Sequence, residues 1–189
     1  MSFRDLFSDR SDLYSKYRPT YPDELFDFIS AAAPDHRLAW DCATGSGQAA
    51  TALAGRFDNV IATDASENQI AQARAHPGIE YRVATAYESG IASGSADAVT
   101  VAQAMHWLDA HRFYQEAKRV LADGGVLVIW GYGDPVVEPE PVNRILHEYN
   151  RGTIERFWQP ERDILLDGYR RIPFPFQELE VPEFTLEAR

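Results

Sequence analysis

Five short apolar runs, each closed by a turn or by helix-starting residues, constrain this chain more than any other feature. LAWDC (38–42), NVIATD (59–64), IEYRVAT (79–85), ADAVTVAQ (96–103) and VLVIWGY (126–132) read as strands. Helical patterns lie between them. A small-residue helix is expected from about Gly47 to Arg56. Ser66, with Gln69 three residues on, forms a capping box, and the helix it opens is expected to reach about Ala75, where Pro77-Gly78 stops it. AHRFYQEAKRVL (110–121) sets Phe113, Ala117, Val120 and Leu121 on one helical face, with Asp123-Gly124-Gly125 as the turn after it. Strands this apolar, alternating with helices, need cover on both faces, which means a parallel sheet in an α/β fold. Right-handed crossovers leave few topologies. The expected one is doubly wound, with strand order 3-2-1-4-5.

The flanks fit around one domain spanning 1–189, a length that can bury about 70% of its unfolded surface. YPDELFDFISAAA begins a helix at Pro22, with Asp23 and Glu24 at its positive end. Residues 1–33 then form an N-terminal lid or helix, 34–133 the core, and 134–189 a helical cap with an incomplete sheet end. Helices are expected over 139–157 and 160–171. The Pro-rich tail IPFPFQELEVPEFTLEAR is strand-like only near Phe184-Leu186. If the sheet stops at its fifth strand, that strand is an open edge. The tail 173–189 is then expected either to fold back over it or to be exchanged with a second copy, giving a homodimer.

The net charge is -11, with 29 acidic against 18 basic residues. Proteins that grip phosphate backbones over a wide surface are usually basic, so no nucleic-acid partner is expected. No run approaches the length of a membrane span, and the first residues carry charges in place of an apolar signal core. Cys42 is the single cysteine. A cytoplasmic protein without membrane partners is the expectation.

The stretch WDCATGSGQAA (40–50) carries the chemistry. Gly45 and Gly47 follow a strand and open a helix, where backbone N–H groups point outward at a ligand. The aspartate four residues before Gly45 separates two ligands. A dinucleotide would bring its pyrophosphate here, and a carboxylate at Asp41 would repel it. S-adenosylmethionine brings a sulfonium and an ammonium, which that carboxylate favours, while its own carboxylate still finds the helix N–H groups. The alternative is an Asp that merely caps an ordinary strand–helix turn. Asp64, ending the second strand, suits both ribose hydroxyls, and Ala65 leaves room for the nucleoside. Thr85-Ala86-Tyr87-Glu88 is placed to border the adenine or, equally, to be a solvated loop.

In motif order the chain resembles the class I S-adenosylmethionine-dependent methyltransferases of the type 11 group. The residues are D-x-x-x-G-x-G (41–47), the acid ending the second strand, A-D-A-V (96–99) and R-V-L-x-x-G-G (119–125), within roughly 38–132. YSKYRPTYPDEL (14–25), QAMHWLD (103–109) and WGYGDP (130–135) look like the subgroup that contains trans-aconitate methyltransferases. The resemblance implies a Rossmann-like sheet, S-adenosyl-L-methionine as cofactor, and Asp41, Ala43, Gly45, Gly47, Asp64, Ala65, Thr85, Ala86, Gln103, Tyr14 and Tyr21 around it. It departs at Thr85, where the family often has an acid, and at the end of the sheet, where two more strands are usual.

The acceptor is expected to be a small molecule, and a carboxylic acid needs no general base because it is already ionised at neutral pH. Arg18, beside Tyr14, Tyr17 and Tyr21, comes from a segment that either lids the site or packs the first helix. Gln103, His106 and Trp107 follow the fourth strand, where ligands bind in open α/β sheets. His106 could bind the acceptor, act as base or be structural. Trp158, Arg162, Tyr169, Arg170 and Arg171, aromatics interleaved with arginines, suit a carboxylate or form a solvated helix face. The pattern calls for no metal. Two further readings stay open: a non-catalytic S-adenosylmethionine-binding module, and a nicotinamide dehydrogenase, against which Asp41 argues.

Overall fold

The computed structural model describes residues 19–186. Its sheet holds five parallel strands in the order 3-2-1-4-5. They are β1 (Leu38–Cys42), β2 (Asn59–Asp64), β3 (Ile79–Val83), β4 (Ala96–Ala102) and β5 (Leu121–Trp130). The helices are α1 (Asp23–Ala32), α2 (Gln48–Leu53), α3 (Glu67–Ala71), α4 (Ala110–Val120), α5 (Glu140–Tyr149) and α6 (Arg162–Leu166).

Strand periodicity splits the core into two layers. Ala39 joins Leu25, Phe26 and Ile29 of α1 and Ala50 and Leu53 of α2 on one face. Its neighbour Trp40 joins Phe113, Ala117 and Val120 of α4 on the other. Trp40 is wholly buried, and its indole N–H donates to Thr63 Oγ1 at 2.9 Å, so the largest core side chain leaves no orphan donor. Arg56, just past α2, ties that layer together by donating to Asp27 and Asp23 of α1.

Several boundaries differ from the sequence reading. Helix α3 stops at Ala71, short of Ala75, because residues 72–75 are mostly exposed and have no apolar face to bury. Strand β5 begins at Leu121, five residues early. Leu121 pairs with Ala96, and Asp123-Gly124-Gly125 is a bulge before pairing resumes at Val126 and Ala98. The helix expected over 139–157 is regular only to Tyr149. A π turn (Asn150–Ile154) and a 3-10 turn (Glu155–Phe157) follow. The helix expected over 160–171 is short, since Gly168 and Tyr169 both take left-handed φ, +68° and +65°.

Among its described residues the tail forms no strand, so the strand expected near Phe184-Leu186 is corrected. Pro173, Pro175 and Pro182 remove ladder donors there. The tail packs by side chains instead. Ile172, Phe174 and Phe176 lie on the α4 layer, with Phe174 and Phe176 each 6.0 Å from the Tyr114 ring. Phe184 and Leu186 lie on the opposite layer, with Phe184 6.0 Å from Phe28 of α1. Within one chain the tail therefore passes around β5 from one face of the sheet to the other.

Glu116 of α4 pins the loop between β3 and β4. Its carboxylate accepts from Ser89 N at 2.8 Å, Ser89 Oγ at 2.6 Å and the Arg119 guanidinium at 2.7 and 2.8 Å. The Arg119 bonds lead in holding its pKa down to about 2. A depressed carboxyl contributes stability that is present above its unfolded value near 4.5 and lost as pH falls towards 2. Glu116→Gln is expected to cost about 1–3 kcal/mol at pH 7 and almost nothing at pH 2. Urea melts at both pH values check this; an equal cost at both would refute the charged clamp.

Candidate cofactor and acceptor site

The strand order reverses at β1, which lies between β2 and β4. A crevice at such a switch point, beyond the carboxyl ends of the strands, is where open α/β sheets take ligands. Two non-glycine residues stand there in left-handed conformation, Ala43 after β1 (φ +55°) and Gln103 after β4 (φ +56°). Left-handed backbone is strained for residues with a Cβ and gathers at functional sites. The Gln103 N–H donates to Trp130 O at 2.9 Å and its side chain to Tyr132 O at 3.3 Å, which fixes the turn against β5.

The glycine loop is built on the two strand-ending acids. Gly45 (φ +58°) and Gly47 (φ +87°) both need positive φ, and Gly47 caps α2. A Cβ at Gly47 would also lie 2.9 Å from the Tyr81 ring. Asp64 accepts from Gly45 N and Ser66 N, each at 2.9 Å, so one carboxylate ties the loop to the start of α3. A carboxylate with about four acceptor sites at this position is the kind of group that takes ribose hydroxyls. Ala65, half-buried, lies between these anchors. The Gln48 side chain donates to Pro19 O at 2.8 Å and ties the residues just before α1 to the start of α2.

Asp41 is wholly buried beneath the loop. Thr44 Oγ1 donates to one oxygen at 2.5 Å and Thr100 Oγ1 to the other at 2.9 Å. Burial pushes its pKa up to about 6; the two hydroxyls oppose this, and Asp64 adds a like charge. Among the described residues no cation is among the groups acting on it. A buried carboxylate, unpaired with any described cation, fits the sulfonium and ammonium of S-adenosylmethionine and disfavours a pyrophosphate. Thr44 and Thr100 escaped the sequence reading. Thr100 meets Asp41 across 59 positions of chain, and only the β1–β4 register could reveal it.

The remaining expected residues fall in several places. Thr85 is exposed, bridges Glu88 and accepts from Tyr87 N at 3.3 Å; Ala86 is buried in the α4 layer. Tyr21 packs in the α1 layer, edge-on to Trp130 at 5.4 Å. Tyr14 and Arg18 lie outside the described residues.

On the acceptor side, Met105–Trp107 forms a 3-10 turn after β4. The His106 ring lies 4.7 Å from Trp107, which is exposed, and 6.1 Å from Tyr169, nearly parallel to it. Nδ1 of His106 and the Tyr169 hydroxyl are 3.3 Å apart. Burial pulls His106 down to about 4, with Glu161 opposing and Arg162 adding. The imidazole is thus neutral at physiological pH. Arg162 is ion-paired with Asp134 and lies 3.9 Å over the Trp158 ring. A cavity of about 150 Å³ opens beside them, lined by Asp134, Trp158, Arg162 and Leu166. It lies away from the glycine loop, and Arg162 connects it to the His106 side.

A methyltransferase-domain profile matches residues 40–129, from the strand before the glycine loop to the end of the sheet. A Dictyostelium discoideum protein carried under the name of a methyltransferase is 39% identical over 178 residues, which are 93% of this chain and 68% of that protein. The chain belongs to the S-adenosylmethionine-dependent methyltransferases of type 11. An uncharacterized methyltransferase of Mycobacterium tuberculosis is 36% identical over 130 residues, 68% of this chain and 53% of that one. Among solved structures, an Anaeromyxobacter dehalogenans protein bearing the name type II methyltransferase superposes with a TM-score of 0.83 at 44% identity, covering 88% of this chain and 70% of that one. The methyltransferase thus spans between about half and 70% of the length of these relatives. No helix among its described residues is long and apolar enough to cross a membrane.

Proposed function

We propose that this chain transfers a methyl group from S-adenosylmethionine to a small-molecule oxygen nucleophile, a carboxylic acid being the favoured class, as in the trans-aconitate subgroup that its sequence resembles. The observation that carries this reading is Asp41, a buried carboxylate under a glycine loop on which no cation among the described residues acts. The cofactor supplies an electrophilic methyl group on a sulfonium. Thr44, held by Asp41, offers its hydroxyl oxygen to the ammonium, and Asp64 takes the ribose. Gln103 and His106 line the path from the β4 end to the acceptor. Arg162 has five N–H donors, and its ion pair with Asp134 runs through Nη2, so other donors of the fork can meet an acceptor carboxylate. A neutral His106 suits an acceptor that needs no proton removed.

Calorimetric titration with S-adenosylmethionine, S-adenosylhomocysteine and NAD tests the cofactor. Both sulfur ligands should bind and NAD should not; binding of NAD alone would sink the reading. A labelled-methyl transfer screen over small acids, phenols and amines then tests the acceptor. Transfer to amines only would overturn the carboxylate assignment.

A further inference from the structure

The residue pressed against His106 is built in at a cost. Tyr169 holds φ +65°, directly after Gly168 at +68°. The left-handed region is strained for an aromatic residue with a Cβ. Three contacts keep it there. Its N–H donates to Ile164 O at 3.0 Å, and its carbonyl accepts from Ile172 N at 2.9 Å. Its ring rests on the bare backbone of Gly131, where a Cβ would come within 3.1 Å of the hydroxyl and would collide with Leu165. The end of α6 is thus folded so that one phenol reaches Nδ1 of His106.

We propose that Tyr169 is a positioning residue of the acceptor site: its hydroxyl donates to Nδ1 of His106, so that His106 presents Nε2–H as a hydrogen-bond donor to an oxygen of the methyl acceptor. This rests on the methyltransferase reading above and extends it, because it makes His106 a donor and removes it as a general base. The direction of the bond follows from the two groups. A neutral imidazole nitrogen is a stronger acceptor than a phenol oxygen. Burial, with Tyr21 adding, pushes the Tyr169 phenol up, so it keeps its proton at every relevant pH. With Nδ1 accepting, the one proton of neutral imidazole must be on Nε2. The charged groups bearing on the ring are Glu161 and Arg162, of opposite sign, both from the segment packed on it.

Nitrogen NMR of the ¹⁵N-histidine-labelled chain reads the tautomer directly. In the parent, His106 should show a protonated Nε2 and an unprotonated Nδ1 from pH 8 down to about pH 5. A protonated Nδ1 in the parent overturns the proposal by itself, without any variant. In Tyr169→Phe the His106 signals should move towards the mixed-tautomer position while those of His36, His76, His111 and His147 stay put. Unchanged His106 signals overturn it. Gly131→Ala, whose Cβ would collide with Leu165 and crowd the Tyr169 hydroxyl at 3.1 Å, keeps that hydroxyl but disturbs its approach and should move the His106 signals in the same direction if Tyr169→Phe folds poorly. Affinity for S-adenosylmethionine should be unchanged in Tyr169→Phe. Failure of the parent to bind that ligand would refute the methyltransferase reading, while the tautomer would still decide this one. With an acceptor in hand, Tyr169→Phe should lower turnover about tenfold, the value of one hydrogen bond, with no change in the KM for S-adenosylmethionine.

Discussion

Replacing Asp41 with asparagine is expected to have two opposite effects: about 1–3 kcal/mol weaker binding of S-adenosylmethionine and a higher melting temperature for the ligand-free protein. Both follow from one carboxylate. Its pKa is held at about 6 against an ordinary 3.8. Between those values the folded chain binds more protons than the unfolded chain, so stability falls as pH rises through that window. Above pH 6 the full cost is present, on the order of 3 kcal/mol. Asparagine removes the charge and can still bond both hydroxyls, accepting from one of Thr44 and Thr100 and donating to the other. About half of the cost recovered would raise the melting temperature by roughly 3–6 °C in a chain of this size. The same charge predicts a pH dependence. A cationic ligand favours the ionised form, so affinity should fall about tenfold per pH step below 6 in the parent and stay flat in Asp41→Asn. Calorimetric titration and thermal melts of both proteins measure this. Unchanged affinity, or a lower melting temperature together with unchanged pH dependence, would reduce Asp41 to a turn residue.

Asp41 also shows where reading a sequence works and where it stops. The strands were visible because each is apolar and bounded, and right-handed crossovers leave few topologies, of which the expected order 3-2-1-4-5 is the one found. Asp41 and Asp64 stood out as candidates because they are acids at strand ends beside a glycine loop, where Asp41 could also have been a turn cap. What holds them was hidden. Thr100 is a strand threonine like any other until β4 is laid beside β1. Tyr169 was visible as one aromatic among arginines. That it takes left-handed backbone and reaches His106 depends on the bare surface of Gly131, 38 positions earlier. The early start of β5 was missed because a turn signal, Asp123-Gly124-Gly125, marks a bulge inside a strand as readily as the end of a helix.

Cutting the chain after Ile172 is expected to lower the melting temperature by about 10 °C. Strand β5 is the last strand, and its side chains are only half-covered, whereas β4 is buried along almost all its length. The tail joins both layers that flank it: Phe184 and Leu186 lie on the same core layer as Val126, Val128 and Trp130, and Phe174 and Phe176 on the same layer as Leu127 and Ile129. Each partly buried side chain contributes about 1–2 kcal/mol. Part of that is returned as the entropy freed when the tail is released. A net loss of about 3–4 kcal/mol corresponds to roughly 10 °C for a domain of this length. Lys118 over the Phe176 ring at 5.3 Å adds a small term of the same sign. Removal of the tail also bares an apolar edge with unpaired backbone groups, which invites pairing with another chain. The cut chain should therefore associate, while the intact chain, whose own tail wraps its own edge, should run as a monomer. Size-exclusion chromatography with light scattering and thermal melts of both chains separate the outcomes. An intact dimer that dissociates on cutting would mean that the tail is exchanged between copies. Equal melting temperatures with two monomers would mean that the tail covers nothing and that β5 is stable as an open edge.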